Sequence, residues 1–176
     1  MHRSEPEDDS SDKPVLATKS DPVLSCRRTA GAIAMDKTDL CEIYRSYIAC
    51  LNRQDWAKLD QFVHDEVRHN NRPIRITGYR EMLERDYDEI SDLHFDIQLL
   101  VSDPPHIASR LEFNCAPRAK FLGLDVNGER VSFTENVFYE FRAGKIWRVW
   151  SIIDRAAIEA QLQGRLASRR RPLDRS

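Results

Sequence analysis

A chain of 176 residues with 41% hydrophobic side chains suits one domain with a real core, and 32% charged residues keep its surface solvated. The formal net charge of −2 gives no global attraction for nucleic acid or an anionic membrane, and no apolar run is long enough to span a bilayer. The N-terminus lacks the apolar stretch of a secretory signal and is too acidic for a transit peptide. Cys26, Cys41, Cys50 and Cys115 form no Cys-x-x-Cys pair and no zinc-ligand spacing, so they read as reduced thiols. The expectation is a cytoplasmic protein with no metal, no nucleic-acid partner and no membrane partner.

Residues 1–34 are dominated by Ser, Asp, Glu, Pro and Lys without an apolar period and read as a disordered extension; Met35 is a candidate alternative start. The domain is expected over residues 35–164. Leu40, Ile43, Tyr44, Tyr47, Ile48 and Leu51 fall on one face of a helix. Asp55 is placed to cap a short second helix bearing Trp56, Leu59, Phe62 and Val63. Residues 65–76 look polar and irregular, and Pro73 forbids continued helix. Thr77 is placed to cap a third helix with an apolar face of Tyr79, Met82, Leu83, Tyr87 and Ile90.

Beyond Asp92 the period becomes two. Phe95, Ile97, Leu99 and Val101 form one strand face, and after the turn at Asp103-Pro104-Pro105 so do Ile107, Leu111, Phe113 and Cys115. Asn127-Gly128 signals a hairpin turn. Val131, Phe133, Val137, Tyr139 and Phe141 line a long strand, Ala143-Gly144 turns the chain, and Lys145 to Ile153 is the last strand. A short helix is expected near Arg155–Gln163. Residues 165–176 hold five arginines and read as a basic disordered tail. Helices first and antiparallel strands after them predict an α+β fold, a curved sheet wrapped as a cone around the N-terminal helices with a pocket inside.

Several segments resemble the SnoaL-like cyclases of the nuclear transport factor two-like superfamily. Leu51-Asn52 followed by Asp55-Trp56 is similar to that family's helix-to-helix corner, and Asp65-Glu66-Val67-Arg68-His69-Asn70 resembles its Asp-x-Val-x-x-His segment. Phe121-Leu122-Gly123-Leu124 resembles its Phe-x-Gly-Ile element, and Gly144-Lys145-Ile146 with Trp150 and Asp154 its closing Gly-Lys-Ile…Trp…Asp signature. The resemblance covers about residues 38–163 and implies a barrel-like cone, no metal, no organic cofactor and homodimers formed by sheet packing. One departure stands out: where many members carry Thr-His-x-Gly, this chain has Ala116-Pro117-Arg118-Ala119, so Pro117 replaces a histidine that takes part in catalysis elsewhere.

Glu135 is the most informative single residue. It shares strand parity with Phe133 and Val137, so a carboxylate interrupts an apolar face. Such a group must be paired, hydrated in a cavity or protonated, and desolvation moves it toward the range of a general acid or base. The bland alternative is a salt bridge or a bulge that turns it outward. His69, where the family places a pocket-wall histidine, has the near-neutral titration that suits proton transfer, against the alternative of a surface histidine in a polar loop. Asp154, which the resemblance brings to the pocket, is equally suited to cap the last helix. Tyr47 and Tyr139 are candidate hydrogen-bond donors to a ligand, with core packing as the default. Trp150 reads as pocket wall, dimer interface or core.

Arg110 and Glu112, with Asp154, resemble the Asp-Arg-Asp set of limonene-epoxide-hydrolase-like enzymes, and His69-x-Asn71-x-Pro73 the Tyr-x-Asn-x-Pro stretch that positions water there. Parity turns Arg110 and Glu112 away from the Glu135 face, which favours an exposed cross-strand ion pair. The leading expectation is a cofactor-free cyclase or isomerase. Glu135, His69 and Asp154 act as acid–base groups, and Tyr47, Asn71, Arg110, Tyr139 and Trp150 contact a small hydrophobic carbonyl compound. The alternatives are a non-catalytic ligand-binding protein of the same fold and an epoxide hydrolase.

Overall fold

The computed structural model describes residues 36–169. The expectations for residues 1–34, for Met35 as a start and for the tail beyond Arg169 lie outside these residues. The chain runs α1 (Lys37–Asn52), a 3-10 turn (Trp56–Lys58), α2 (Leu59–Phe62), β1 (Val63–His69), β2 (Arg72–Pro73) and α3 (Arg75–Glu89). It continues with β3 (Asp96–Asp103), β4 (His106–Cys115), β5 (Lys120–Phe121), β6 (Leu124–Asp125), β7 (Val131–Arg142), β8 (Lys145–Ile153) and α4 (Arg155–Arg169). The main sheet is six-stranded in the order β2-β1-β8-β7-β4-β3, and β5 and β6 form a separate ribbon. The α+β class, the curved sheet and the packed N-terminal helices agree with the pattern of periods; the sheet is open rather than closed.

The apolar stripe of α1 becomes its buried face: Leu40, Tyr44, Tyr47, Ile48 and Leu51 are all sealed from solvent. Fully burying each such side chain contributes roughly 1.5–3 kcal/mol. The corner after α1 is fixed by Asn52. Its side-chain amide donates to the Phe95 carbonyl at 3.0 Å and its carbonyl accepts the Phe95 N–H at 2.8 Å, tying the end of α1 to the entrance of β3. The Tyr87 hydroxyl donates to the Leu51 carbonyl at 2.7 Å and anchors α3 to the same corner.

The structure departs from the sequence expectations at five places. Residues 65–76 are not irregular: β1 runs through them and pairs in parallel with β8, although only Val63 and Val67 are buried along it. Two buried residues four apart do not make a period-two signal, so tertiary pairing decides this strand. The third helix begins at Arg75, so Thr77 lies inside its first turn instead of capping it. Asp55 stands before the 3-10 turn, but its carboxylate pairs with Lys58 at 2.6 Å instead of capping. On β3, a register shift between Ile97 and Leu99 reverses the alternation, which leaves Leu99 and Val101 more than half exposed and turns Leu100 inward. Finally, α4 continues to Arg169, past the expected end at Gln163, and so takes in the first residues of the stretch read as a tail.

The Asn127-Gly128 turn is present, with left-handed φ values of 51° and 79°. It sits inside the longer excursion between β4 and β7 that also carries the β5–β6 ribbon. Strand β7 pairs with β4 from Val131 to Glu140 and with β8 from Glu135 onward. Val131, Phe133, Val137, Tyr139 and Phe141 are buried, as the alternation predicts. Cys41, Cys50 and Cys115 carry free thiols. No helix among the described residues is long and apolar enough to cross a membrane.

Candidate functional site

A cavity of about 290 Å³ lies between α3 and the concave face of the sheet. Phe113, Phe133, Val137, Tyr139 and Val149 supply its sheet side, and Tyr79, Met82, Leu83 and Ile90 its helix side. Tyr47 and Leu51 of α1 and the ribbon residues Phe121 and Leu122 complete the wall. The phenylalanines pack on one another: Phe113 stacks on Phe133 at 5.1 Å, and Phe95 and Phe121 meet them edgewise or tilted at 5.4 Å.

Glu135 points into this cavity. On β7 it stands between Phe133 and Val137, opposite Leu111 of β4 and Ile153 of β8, so the inward parity predicted for it is realised. It makes no salt bridge to an arginine among the described residues. Burial raises its carboxyl above the usual carboxylate range, and a hydrogen bond with the Ser151 side chain pulls the other way. His69 ends β1 and also lines the cavity, with its ring 6.4 Å from that of Tyr79. Burial lowers its basicity, so the imidazole is neutral at neutral pH. Tyr47 and Tyr139 reach the cavity too. The Tyr47 and Tyr79 hydroxyls share a 2.7 Å hydrogen bond. That bond uses one hydroxyl hydrogen and leaves the other to point elsewhere. Burial pushes all three phenols well above their ordinary values, so they remain protonated donors.

Four of the expected site residues lie elsewhere. Asp154 is exposed and caps α4: its Oδ1 accepts the Ala157 N–H at 3.0 Å, which corrects its assignment to the acid–base set. Trp150 and Asn71 stand outside the cavity and bond to each other, with the indole N–H donating to Asn71 Oδ1 at 3.1 Å. Trp150 has the opposite parity to the cavity-lining Val149 and Ser151. Arg110 is on the outer face of β4, where it donates to Gln98 at 2.8 Å and Asn136 at 3.1 Å. Glu112 accepts from Gln98 rather than from Arg110, so the expected ion pair is not formed. Arg110, Glu112 and Asp154 therefore do not converge on one cavity, and the epoxide-hydrolase arrangement fails on geometry.

Ser151, Tyr79, Asp86 and Glu89 line the cavity and escape the sequence reading. Ser151 is a small polar residue on a strand whose signature residues draw attention to its neighbours. Tyr79 appears only as a core position. Asp86 had a readable signal: on α3 it lies seven residues after Tyr79, three after Leu83 and four before Ile90, an acid within the apolar stripe. It lines the cavity, and burial, reinforced by the charge of Glu89, raises it to about 7. Pro117 is buried away from the cavity, its carbonyl accepting the Gly128 N–H at 2.7 Å. Among the described residues no group of three or more His, Cys, Asp or Glu side chains is placed to hold a metal ion.

The model of the SnoaL-like polyketide cyclase family matches residues 41–162. The structure of a SnoaL-like polyketide cyclase from Agrobacterium tumefaciens is 50% identical and superposes with a TM-score of 0.69, covering 70% of this chain and 97% of that one. IdmH from Streptomyces antibioticus, a candidate polyketide cyclase, is 17% identical with a TM-score of 0.62 over 70% of this chain and 98% of its own. AclR from Streptomyces galilaeus, a candidate hydroxylase, is 16% identical with a TM-score of 0.61 over 73% and 98%. The last two are similar in fold alone. No match was found among curated proteins.

Proposed function

The chain belongs to the SnoaL-like polyketide cyclase family, and from that premise we propose that it performs cofactor-free acid–base chemistry on a small hydrophobic carbonyl compound in the cavity beneath α3. The observation that carries this reading is Glu135, a carboxyl without an ion-pair partner among the described residues, aimed into a largely apolar cavity with its acidity weakened by burial. A carboxylate so placed is a stronger base than one in water, and the surrounding phenylalanines favour an apolar substrate. In the proposed step Glu135 removes a proton from the carbon next to the carbonyl. The C–H electron pair forms the new carbon–carbon double bond and the carbonyl π pair moves to oxygen, where a hydrogen-bond donor stabilises the charge. The Tyr47–Tyr79 hydroxyl pair and the neutral His69 imidazole border the cavity as donors for that oxygen. Ser151 keeps the Glu135 carboxyl in position.

Exchange of the α-protons of α-tetralone in deuterated water, followed by proton NMR, tests the reading without knowledge of the natural substrate. The protein accelerates exchange, and Glu135→Gln loses the acceleration by about a hundredfold. Binding of α-tetralone with identical exchange in both proteins would reduce the cavity to a ligand-binding site.

We also propose a homodimer formed by the outer face of the sheet. Two cross-strand rows there carry exposed apolar side chains. One runs Val101, Ala108, Phe138, Trp150, and the other holds Leu99 and Ile152 around the Arg110–Asn136 pair. Phe138 is 57% and Ile152 73% exposed in the single chain, on the face away from the cavity. Contiguous exposed apolar surface of this kind marks an interface.

A further inference from the structure

Beside Glu135 the cavity is lined by two further carboxyls, the exposed Glu89 and the half-buried Asp86. Asp86 projects from the helix side, whereas Glu135 projects from the sheet. The carboxyl is half-buried and makes no hydrogen bond or ion pair among the described residues. No lysine or arginine lines the cavity, so nothing there neutralises an Asp86 anion. The titratable and charged groups around it are Arg85, Glu89 and Tyr79 on α3, His69 on β1, Tyr47 on α1, and Glu135 and Tyr139 on β7. The adjoining loop brings Arg118, whose backbone N–H bonds the Glu89 carbonyl at 3.0 Å. Arg85 favours the Asp86 anion, whereas burial, Glu89 and Glu135 oppose it.

We propose that Asp86 is the second acid–base group of this cavity, acting in its protonated form on the substrate's carbonyl oxygen while Glu135 acts on the adjacent carbon. The inference rests on the acid–base reading of the same cavity and adds the residue that handles the oxygen. Two carboxyls in one low-dielectric space do not both ionise readily, so near neutral pH one holds a proton while the other serves as base. In the forward step the α-proton goes to the Glu135 carboxylate and the oxygen takes the Asp86 proton. The products are an enol, a protonated Glu135 and an Asp86 carboxylate. The enol hydroxyl then returns its proton to Asp86 as the nucleophilic carbon either takes the Glu135 proton or attacks an internal carbonyl, whose π pair moves to its own oxygen and takes the Glu135 proton. The division of labour also gives the cavity a preference: a neutral ketone or ester accepts a hydrogen bond from the Asp86 acid, whereas a carboxylate ligand meets Asp86, Glu89 and Glu135 and no cation.

The test is the affinity of α-tetralone for the whole protein as a function of pH, read by calorimetry from roughly pH 5 to pH 9. In the wild type the affinity falls about tenfold as Asp86 loses its proton. Asp86→Asn keeps a donor and removes the titration, so its affinity is flat across the range; Glu112→Gln, on the solvent face of β4, keeps the wild-type profile. A flat profile in the wild type, or an unchanged slope in Asp86→Asn, overturns the proposal. The α-proton exchange of Glu135→Gln is a separate readout. If it matches wild type while the affinity profile still depends on Asp86, the base assignment falls and the role of Asp86 toward the oxygen stands.

Discussion

Asp86→Asn should make the protein more stable, and the gain should depend on pH. The isolated carboxyl titrates near 3.8 and the folded one near 7. An acid raised by folding contributes its full stability below the unfolded value and loses it as pH climbs through the folded value. Below about pH 4 aspartic acid and asparagine are both neutral, and the two proteins have similar stability. As pH rises from 3.8 to about 7, only the unfolded wild type releases the proton, and the wild type falls progressively behind. The full displacement corresponds to about 4 kcal/mol. Solvent entering the cavity screens the charge, and about 2 kcal/mol is expected at pH 8. Urea unfolding of both proteins at several pH values measures the difference directly. A gain independent of pH would show that folding does not displace the carboxyl's titration, and a net loss at pH 8 would show that the carboxylate has a favourable partner in the folded state; either result would refute the reasoning. A residue that lowers stability where it stands fits a group kept for its chemistry.

Tyr47→Phe and Tyr79→Phe should each cost about 1–2 kcal/mol, because each leaves the other buried hydroxyl without its partner. The double variant should cost clearly less than the sum, and strict additivity in urea unfolding would contradict the shared bond. Asp154→Ala should lower stability by about 1 kcal/mol through loss of the α4 cap. It should leave α-tetralone affinity unchanged, since the carboxylate lies outside the cavity, and a drop in affinity would restore Asp154 to the site. Phe138→Lys should convert the proposed dimer to monomer in sedimentation equilibrium by placing a charge in the apolar row; a wild type that is already monomeric at micromolar concentration would remove the proposed interface.

Much of the fold was legible because its signals are local. The α1 stripe, the alternation on β4 and β7 and the turn at Ala143-Gly144 each state their period within one segment, and each element formed where expected. Strand β1 was not legible, since its place is set by parallel pairing to β8, about eighty residues away in sequence. The exposure of Leu99 and Val101 follows from a bulge that no composition rule marks. The site divides the same way. Glu135 and Asp86 are both acids inside apolar patterns, and both face the cavity. The strand version is easy to see at period two, whereas the helical one is hidden by the i+3 and i+4 spacing of its neighbours. Asp154 was drawn toward the pocket by resemblance and Trp150 by sharing its parity, but the cap geometry of one and the place of the other on the outer face of β8 put both outside it.

A crystal structure of the protein soaked with α-tetralone tests the central claim most directly. The account predicts the ketone in the cavity, with its α-carbon within about 3.5 Å of a Glu135 carboxylate oxygen and its carbonyl oxygen turned toward the helix side. A ketone bound with its carbonyl against Glu135 and its α-carbon remote from any carboxylate, or a Glu135 locked in an ion pair, would contradict it.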